Sequence, residues 1–302
     1  MPISSFVQLM QAACDVGPKM VAVALPHEPE ILLSAQDAQN QGLADCTLVG
    51  DRDRIRKIAN ENGIDIAKMM IMHEPDSKAA ARKVMELLRM GHADLAMKGK
   101  LETADFLRAA LDKETGVRVG RLFSHVATFE VPGYDRLLFV TDSGVVVAPT
   151  LEQKVEIVQN AVFVAQALGI EQPKVAILAA TETVNPKIPT TMDAANLAKM
   201  ADRGQIRGAI VDGPLALDNV ISSESAAIKG IKSPVAGCAD ILVAPDVEAG
   251  NMLAKAITYF ANGKMAGVVV GGKSPLIVAS RSDPHETKLM SMALGVLLAG
   301  RD

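Results

Sequence analysis

Short runs of Val, Ala, Leu and Ile alternate along the chain with longer segments whose apolar positions recur at helical spacing. This is the pattern of βαβ units on a largely parallel sheet. A first strand is expected over residues 19–25 and a helix over 28–41, ended by Gly42. Strands over 46–49 and 68–72 bracket a helix over 51–62 that stops at Gly63. The helix expected over 76–90 carries Ala80, Val84, Leu87 and Leu88 on one face and closes at Gly91. A strand over 94–97 delivers the chain into Lys98-Gly99-Lys100, and a helix over 103–111 follows.

Glycines and a proline then loosen the pattern between 116 and 132, where two extended runs, 124–131 and 136–140, suggest an antiparallel pair. A second alternating series begins with a strand over 137–141 that leads into Asp142-Ser143-Gly144. Thr150 and Gln153 form a capping box at the head of a helix over 151–168, terminated by Gly169. Strands are expected over 175–179, 208–211, 241–243 and 267–270, and helices over 191–200, 224–231 and 252–260. The last segment, 285–299, spaces Leu289, Met292, Ala293 and Val296 helically and needs a partner for that face, so it should return to the first domain. The expected fold class is α/β, with two α/β domains and a cleft between them: 1–134 plus 280–302, and 135–279. Clefts of this kind are favoured ligand sites.

The 302 residues are 49% hydrophobic and 22% charged, enough apolar material for a sizeable core. With 31 basic and 35 acidic residues the net charge is −4, and no basic block suggests nucleic acid as a partner. A phosphate-bearing ligand must therefore be captured by a few local cations. Cys14, Cys46 and Cys238 are an odd number without a C-x-x-C pair, which argues against a disulfide framework or a zinc site and for a reducing compartment. The five histidines lack metal-ligand spacing, so no metal is expected. No run of 18 apolar residues and no cationic leader occurs, so the expected location is the cytoplasm, away from membranes.

Gly267 and Gly272-Lys273-Ser274 fit the spacing of a phosphate-binding P-loop, but the match is formal. The four intervening positions, Val268 to Gly271, read as strand where the loop should be, and Pro275 follows where a helix should start. The more informative stretch lies just beyond. A short apolar run, 276–279, emerges into Ser280-Arg281 with Asp283, His285 and Glu286 close behind, a hydroxyl, a guanidinium and carboxylates past a strand end. Other expected strand ends deliver Lys98, Lys100 and Thr103, then Asp142, then Gly213-Pro214, and a loop leading to Gly250-Asn251. Arginine forks suit phosphate because they supply paired, permanently charged donors, which marks Arg281 and, on the helix after the Lys-Gly-Lys loop, Arg108.

The text from Gly213 to Asp283, with its runs SPVAG, PDVEAGN and SR, resembles the phosphate acetyl/butyryltransferase family, and particularly its butyryl members. ETADFLRAAL at 102–111 and TDSGVVVAPTLEQKVEIVQNA at 141–161 agree, and the likeness covers most of the chain in order. The resemblance implies two domains like those of the isocitrate and isopropylmalate dehydrogenases, a homodimer, and reversible transfer of a short acyl group from acyl-CoA to inorganic phosphate. Acyl phosphate and CoA would be the products. Coenzyme A is then a substrate, with no permanently bound cofactor, and its thiol reacts directly in a ternary complex. Ser280, Arg281 and Glu286 fall in catalytic roles, and Arg108 joins Arg281 on the phosphoryl group. Acetyl-type members place an aspartate where this chain has Thr287, which leaves Glu286 or Asp283 as the base. Where they have a further arginine this chain has Tyr259. Acetyl transfer and a catalytically weakened CoA-binding homologue are the alternatives.

Overall fold

The computed structural model describes residues 1–301, and these form two compact units: Phe6–Arg121 with the stretch from Ala266 onward, and Met1–Ser5 with Leu122–Met265. The chain runs α1 (Phe6–Val16), β1 (Lys19–Ala24), α2 (Pro29–Asn40), β2 (Ala44–Gly50), α3 (Arg52–Glu61), β3 (Met70–His73), α4 (Ser77–Arg89), β4 (Leu95–Lys98) and α5 (Thr103–Ala110). It continues through β5 (Ser124–Glu130), β6 (Leu138–Thr141), α6 (Leu151–Ala167), β7 (Lys174–Leu178), α7 (Pro189–Asp202), β8 (Ile210–Leu215), α8 (Leu217–Ile221), α9 (Ser223–Ile228), β9 (Ile241–Val243) and α10 (Val247–Phe260). It closes with β10 (Lys264–Val270), β11 (Leu276–Ile277) and α11 (His285–Leu298).

In the first unit the strands lie in the order β3-β2-β1-β4-β11-β10, all pairs parallel except β10 with β11. The central strand β4 is buried along its whole length, as expected where helices cover both faces of a parallel sheet, whereas the edge strand β3 is partly exposed. Helix α4 packs on β1, β2, β4 and α5, and α11 packs on α1, α2, β4 and β11. The C-terminal helix thus returns to the first unit as its apolar periodicity requires, and Met292, Leu294 and Val296 are fully buried. No helix begins at Lys273-Ser274, so the P-loop match is a coincidence of spacing.

In the second unit the order is β5-β6-β9-β7-β8, parallel except for the β5–β6 pair. The antiparallel pair and the capping box at Thr150 are both present: Gln153 N donates to Thr150 Oγ1 at 3.3 Å and Thr150 N to Gln153 Oε1 at 2.9 Å. The unit boundaries fall at 121/122 and 265/266 rather than at the expected 134/135 and 279/280. Strand pairing is the reason. β5 hydrogen-bonds to β6, which carries residues from 122 into the second unit, and β11 hydrogen-bonds to β4, which carries the stretch before Ser280 into the first.

Several elements differ from the sequence pattern. The pattern does not mark α1 or α8, and α10 begins at Val247 instead of 252 because Asp246 caps it, accepting from Ala249 N at 2.8 Å. Gly250 and Asn251 are therefore helical and not in a loop. β8 runs on through Gly213-Pro214, which a strand tolerates at a sheet edge where the missing N–H faces no partner. Among the described residues no helix is long and apolar enough to cross a membrane, and the three cysteines are free.

Past β1, buried His27 ties two strand ends together. Its Nε2 accepts from Asp51 N at 3.1 Å, and Asp51 Oδ1 accepts from Asp53 N and Arg54 N at the head of α3. Burial is the main reason the imidazole is driven down to about 4 from its ordinary 6.5, and the Arg54 guanidinium adds to it. Because the folded form binds its proton more weakly than the unfolded form, the His27 contribution to stability is complete above pH 6.5 and drains away as pH falls towards 4. In denaturant titrations across that range, the His27→Gln variant should show a shallower loss of stability on acidification than the parent. Equal slopes would assign the acid sensitivity to other groups.

Candidate active site

The first cluster of site residues is built on the carboxyl ends of β1, β4 and β11, three neighbouring strands of the first unit. The Leu25 carbonyl accepts from both His27 N at 2.7 Å and Lys100 N at 2.8 Å, and Gly99 N donates to the Ala24 carbonyl at 2.8 Å. A Cβ on residue 99 would lie 2.2 Å from the Leu25 oxygen, so only glycine lets the two loops cross this closely. That crossing fixes Lys98, which is buried and donates from Nζ to the carbonyls of Gly99 and Leu101, both at 3.2 Å. Two of its three N–H donors are used in this way. Desolvation, followed by the nearby Arg281 guanidinium, lowers its proton affinity below that of an ordinary lysine. Lys100 points out exposed, and Thr103 opens α5.

Ser280 and Arg281 are exposed on the loop leaving β11. Arg281 Nη2 donates to Glu102 Oε1 at 2.6 Å, which joins this loop to the head of α5. The Ser280 and Ser282 hydroxyls lie 3.1 Å apart. Asp283 is buried, and its Oδ2 accepts from Ser280 N at 2.8 Å, so this carboxylate braces the turn instead of standing free as a base. Glu286, in the first turn of α11, is exposed, with one carboxylate oxygen 3.4 Å from His285 Nδ1. Lys98, Ser280 and Arg281 thus come together in one unit.

Arg108 does not join them. It is paired with Asp105 one turn back on α5 and lines a hollow of about 140 Å³ with Lys78, Arg82, Ala109 and Asp112, none of them from the Ser280–Arg281 loop.

The second cluster lies in the second unit around Asp142, at the end of β6. Asp142 is buried. Its Oδ1 accepts from Gly144 N at 2.7 Å and Val145 N at 2.9 Å, and its Oδ2 from His125 N and Val146 N, both at 3.2 Å. Four backbone amides on one carboxylate shape the loop around it. Ser143 Oγ sits 2.8 Å from His125 Nδ1, and both side chains are buried. Helix α10 approaches so closely that a Cβ on residue 250 would meet the Asp142 carbonyl oxygen at 2.1 Å, and next to it Asn251 Nδ2 donates to the Ser143 carbonyl at 3.3 Å. Gly213 is likewise pressed on the Ile177 side chain, where a Cβ would come within 2.8 Å. Asp142, Gly250 and Asn251 therefore form one assembly, with Gly213-Pro214 on the edge strand of the same sheet. Among the described residues no group of His, Cys, Asp or Glu is arranged to hold a metal ion.

The residues that pattern reading missed are Glu102, Lys288 and the His125–Ser143 pair. Lys288 left a signal: it stands one helical turn before Met292, a charged residue at a core position of α11. The other two arise from contacts between distant segments and left none.

Over 298 residues the chain is 48% identical to the phosphate butyryltransferase of Clostridium acetobutylicum, covering 99% of each chain. It is 45% identical over 298 residues to the phosphate acetyltransferase of Rhizobium meliloti, covering 99% of this chain and 94% of that one. The crystal structure of a branched-chain phosphotransacylase from Enterococcus faecalis V583 superposes with a TM-score of 0.83 at 33% identity, covering 94% of this chain and all of that one. At the level of fold alone, 4-hydroxythreonine-4-phosphate dehydrogenase from Klebsiella pneumoniae matches with a TM-score of 0.57 at 13% identity, covering 93% and 99% of the two chains, in keeping with the expected dehydrogenase-like class. The family described as phosphate acetyl/butaryl transferase matches residues 5–87 and 76–296. With that match spanning nearly the whole chain, the protein belongs to the phosphate acetyl/butyryl transferase family.

Proposed function

We propose that this protein moves a short acyl group, butyryl or similar, between coenzyme A and inorganic phosphate: acyl-CoA + phosphate ⇌ acyl phosphate + CoA. The observation that carries the reading is the grouping of an exposed serine and arginine with a buried lysine that has one N–H donor left to offer, in a chain of this family. Towards acyl phosphate, a phosphate oxygen attacks the thioester carbonyl, the carbonyl oxygen takes the charge, and the C–S bond breaks to release CoA, whose sulfur takes up a proton. In the opposite direction the CoA thiol loses that proton and attacks the acyl-phosphate carbonyl as phosphate leaves. A thioester and an acyl phosphate are both already activated, so a covalent acyl-enzyme is unnecessary and catalysis is chiefly positioning and electrostatics.

In this reading Arg281 exchanges Glu102 for the phosphoryl group, a fork donor on a dianion. Lys98 contributes its remaining N–H to the same charge. Ser280 donates to the sulfur or to the developing oxyanion, and Glu286, the exposed carboxylate nearest the loop in sequence, takes the thiol proton. Asp142, Gly250, Asn251, Gly213 and Pro214 shape the part of the second unit that receives substrate. Lys100 and Thr103 serve the bound CoA and phosphate from the first, and Arg108, apart from the Ser280–Arg281 loop, is left to the CoA. The same reading carries a homodimer acting in the cytoplasm, and exposed Met252, Tyr259 and Phe260 on α10 offer an apolar strip for the partner.

A phosphate-dependent thiol-release assay with acetyl-, propionyl-, butyryl- and isobutyryl-CoA tests the activity. Turnover should be best on the four-carbon substrates, and Ser280→Ala should lose on the order of 10²- to 10³-fold in kcat, the usual cost of one oxyanion donor. Best turnover on acetyl-CoA would favour the acetyl alternative, and thermal stabilisation by CoA with no turnover would favour a binding homologue. Glu286→Gln should slow thiol attack on acyl phosphate by about 10²- to 10⁴-fold, the range for general base catalysis. An unchanged rate would remove Glu286 from the mechanism.

A further inference from the structure

The turn that carries Ser280 and Arg281 is closed on itself and then fastened from below. Asp283 N donates to the Ser280 carbonyl at 3.2 Å, and Ser280 N donates to Asp283 Oδ2 at 2.8 Å. Beneath it lies Lys288, whose Nζ donates to the carbonyls of Asp283 and, at 3.5 Å, Ser280. Lys288 is 2% exposed, among the most buried large side chains of the protein. Its helix is itself anchored: Ser291 Oγ donates to the Thr287 carbonyl at 2.7 Å and accepts from Gly267 N of β10 at 2.9 Å. A rigid line of contacts therefore runs from β10 through α11 to the underside of the turn.

Burying an ammonium costs desolvation that an unbranched apolar side chain of similar length would avoid. The charged groups that act on Lys288 are Asp283, Glu28 and Glu30, and Lys98 couples to it with like sign. Its ammonium donates to two main-chain carbonyls at the ends of one four-residue turn. A cation satisfied in this way fixes carbonyl directions, and hence the orientation of the residues between them.

We propose that Lys288 is a positioning residue that holds the Ser280–Asp283 turn so that the Arg281 guanidinium meets phosphate in one fixed arrangement. The inference rests on the reading of this loop as the phosphate-handling part of the site.

Lys288→Met keeps the length and apolar stem and removes the charge, and Lys288→Arg restores a cation. Steady-state kinetics with phosphate and acyl-CoA varied in turn should show the KM for phosphate raised by about tenfold or more in Lys288→Met, the loss of roughly one charge-assisted contact. The KM for acyl-CoA should stay within about twofold, well below the free energy of one such contact. Inorganic phosphate should raise the melting temperature of the parent more than that of Lys288→Met, and Lys288→Arg should recover part of the phosphate KM. An unchanged phosphate KM and phosphate-induced shift would overturn the proposal, as would a parallel worsening of both KM values with a fallen melting temperature in the absence of phosphate, the mark of general packing damage. If the parent turns over no acyl-CoA, the proposed activity fails, and the phosphate-induced shifts of the two proteins still decide the role of Lys288.

Discussion

One carbonyl group holds the first site cluster together. The Leu25 oxygen, just past β1, accepts the amides of His27 and Lys100 and leaves room only for a glycine at 99. Through it the loops after β1 and β4 are made into one piece, and with the loop after β11 they form the edge on which Lys98, Glu102 and Arg281 meet. Parallel pairing of β1, β4 and β11 makes this possible, because it points all three carboxyl ends the same way. A different strand between β4 and β10 would separate the serine and arginine from the buried lysine.

Charge is used sparingly on this edge. Two lysines lie buried, each held by two main-chain carbonyls, while Arg281 waits exposed on a carboxylate. Carbonyl dipoles can hold a cation in a low-dielectric setting without cancelling it, so the positive potential survives for an incoming anion. The second cluster does the reverse: the Asp142 carboxylate is spent on four amides, and what it offers is loop shape.

Much of this was legible in the sequence because parallel strands and their covering helices impose periodicities that short windows can detect. Nearly every strand and helix lies where the apolar spacing put it, and the Thr150 capping box is formed as written. Boundaries between units were harder, since they depend on which distant strand is paired, as with β5 and β11. The start of α10 lies earlier than the pattern put it, and Gly250, expected in a loop, is helical and constrained by the Asp142 carbonyl more than a hundred residues earlier. For the site, strand-end position and residue type pointed to Ser280, Arg281 and Lys98 among other strand-end residues, and these three lie together in one unit. Arg108, on the helix after the Lys-Gly-Lys loop, lines a hollow with residues of α4 and α5.

The order in which the chain is made has a consequence for how it matures. The second unit is almost contiguous, needing only the first five residues and 122–265, so everything it requires has been synthesised before the last strands appear. In the first unit β4 is an open sheet edge until β11 pairs with it, and the face of the sheet is uncovered until α11 packs on α1 and α2. On the ribosome, residues 6–121 must therefore remain an unfinished sheet with an apolar face exposed while the entire second unit is translated, an interval in which chaperone binding has its natural target.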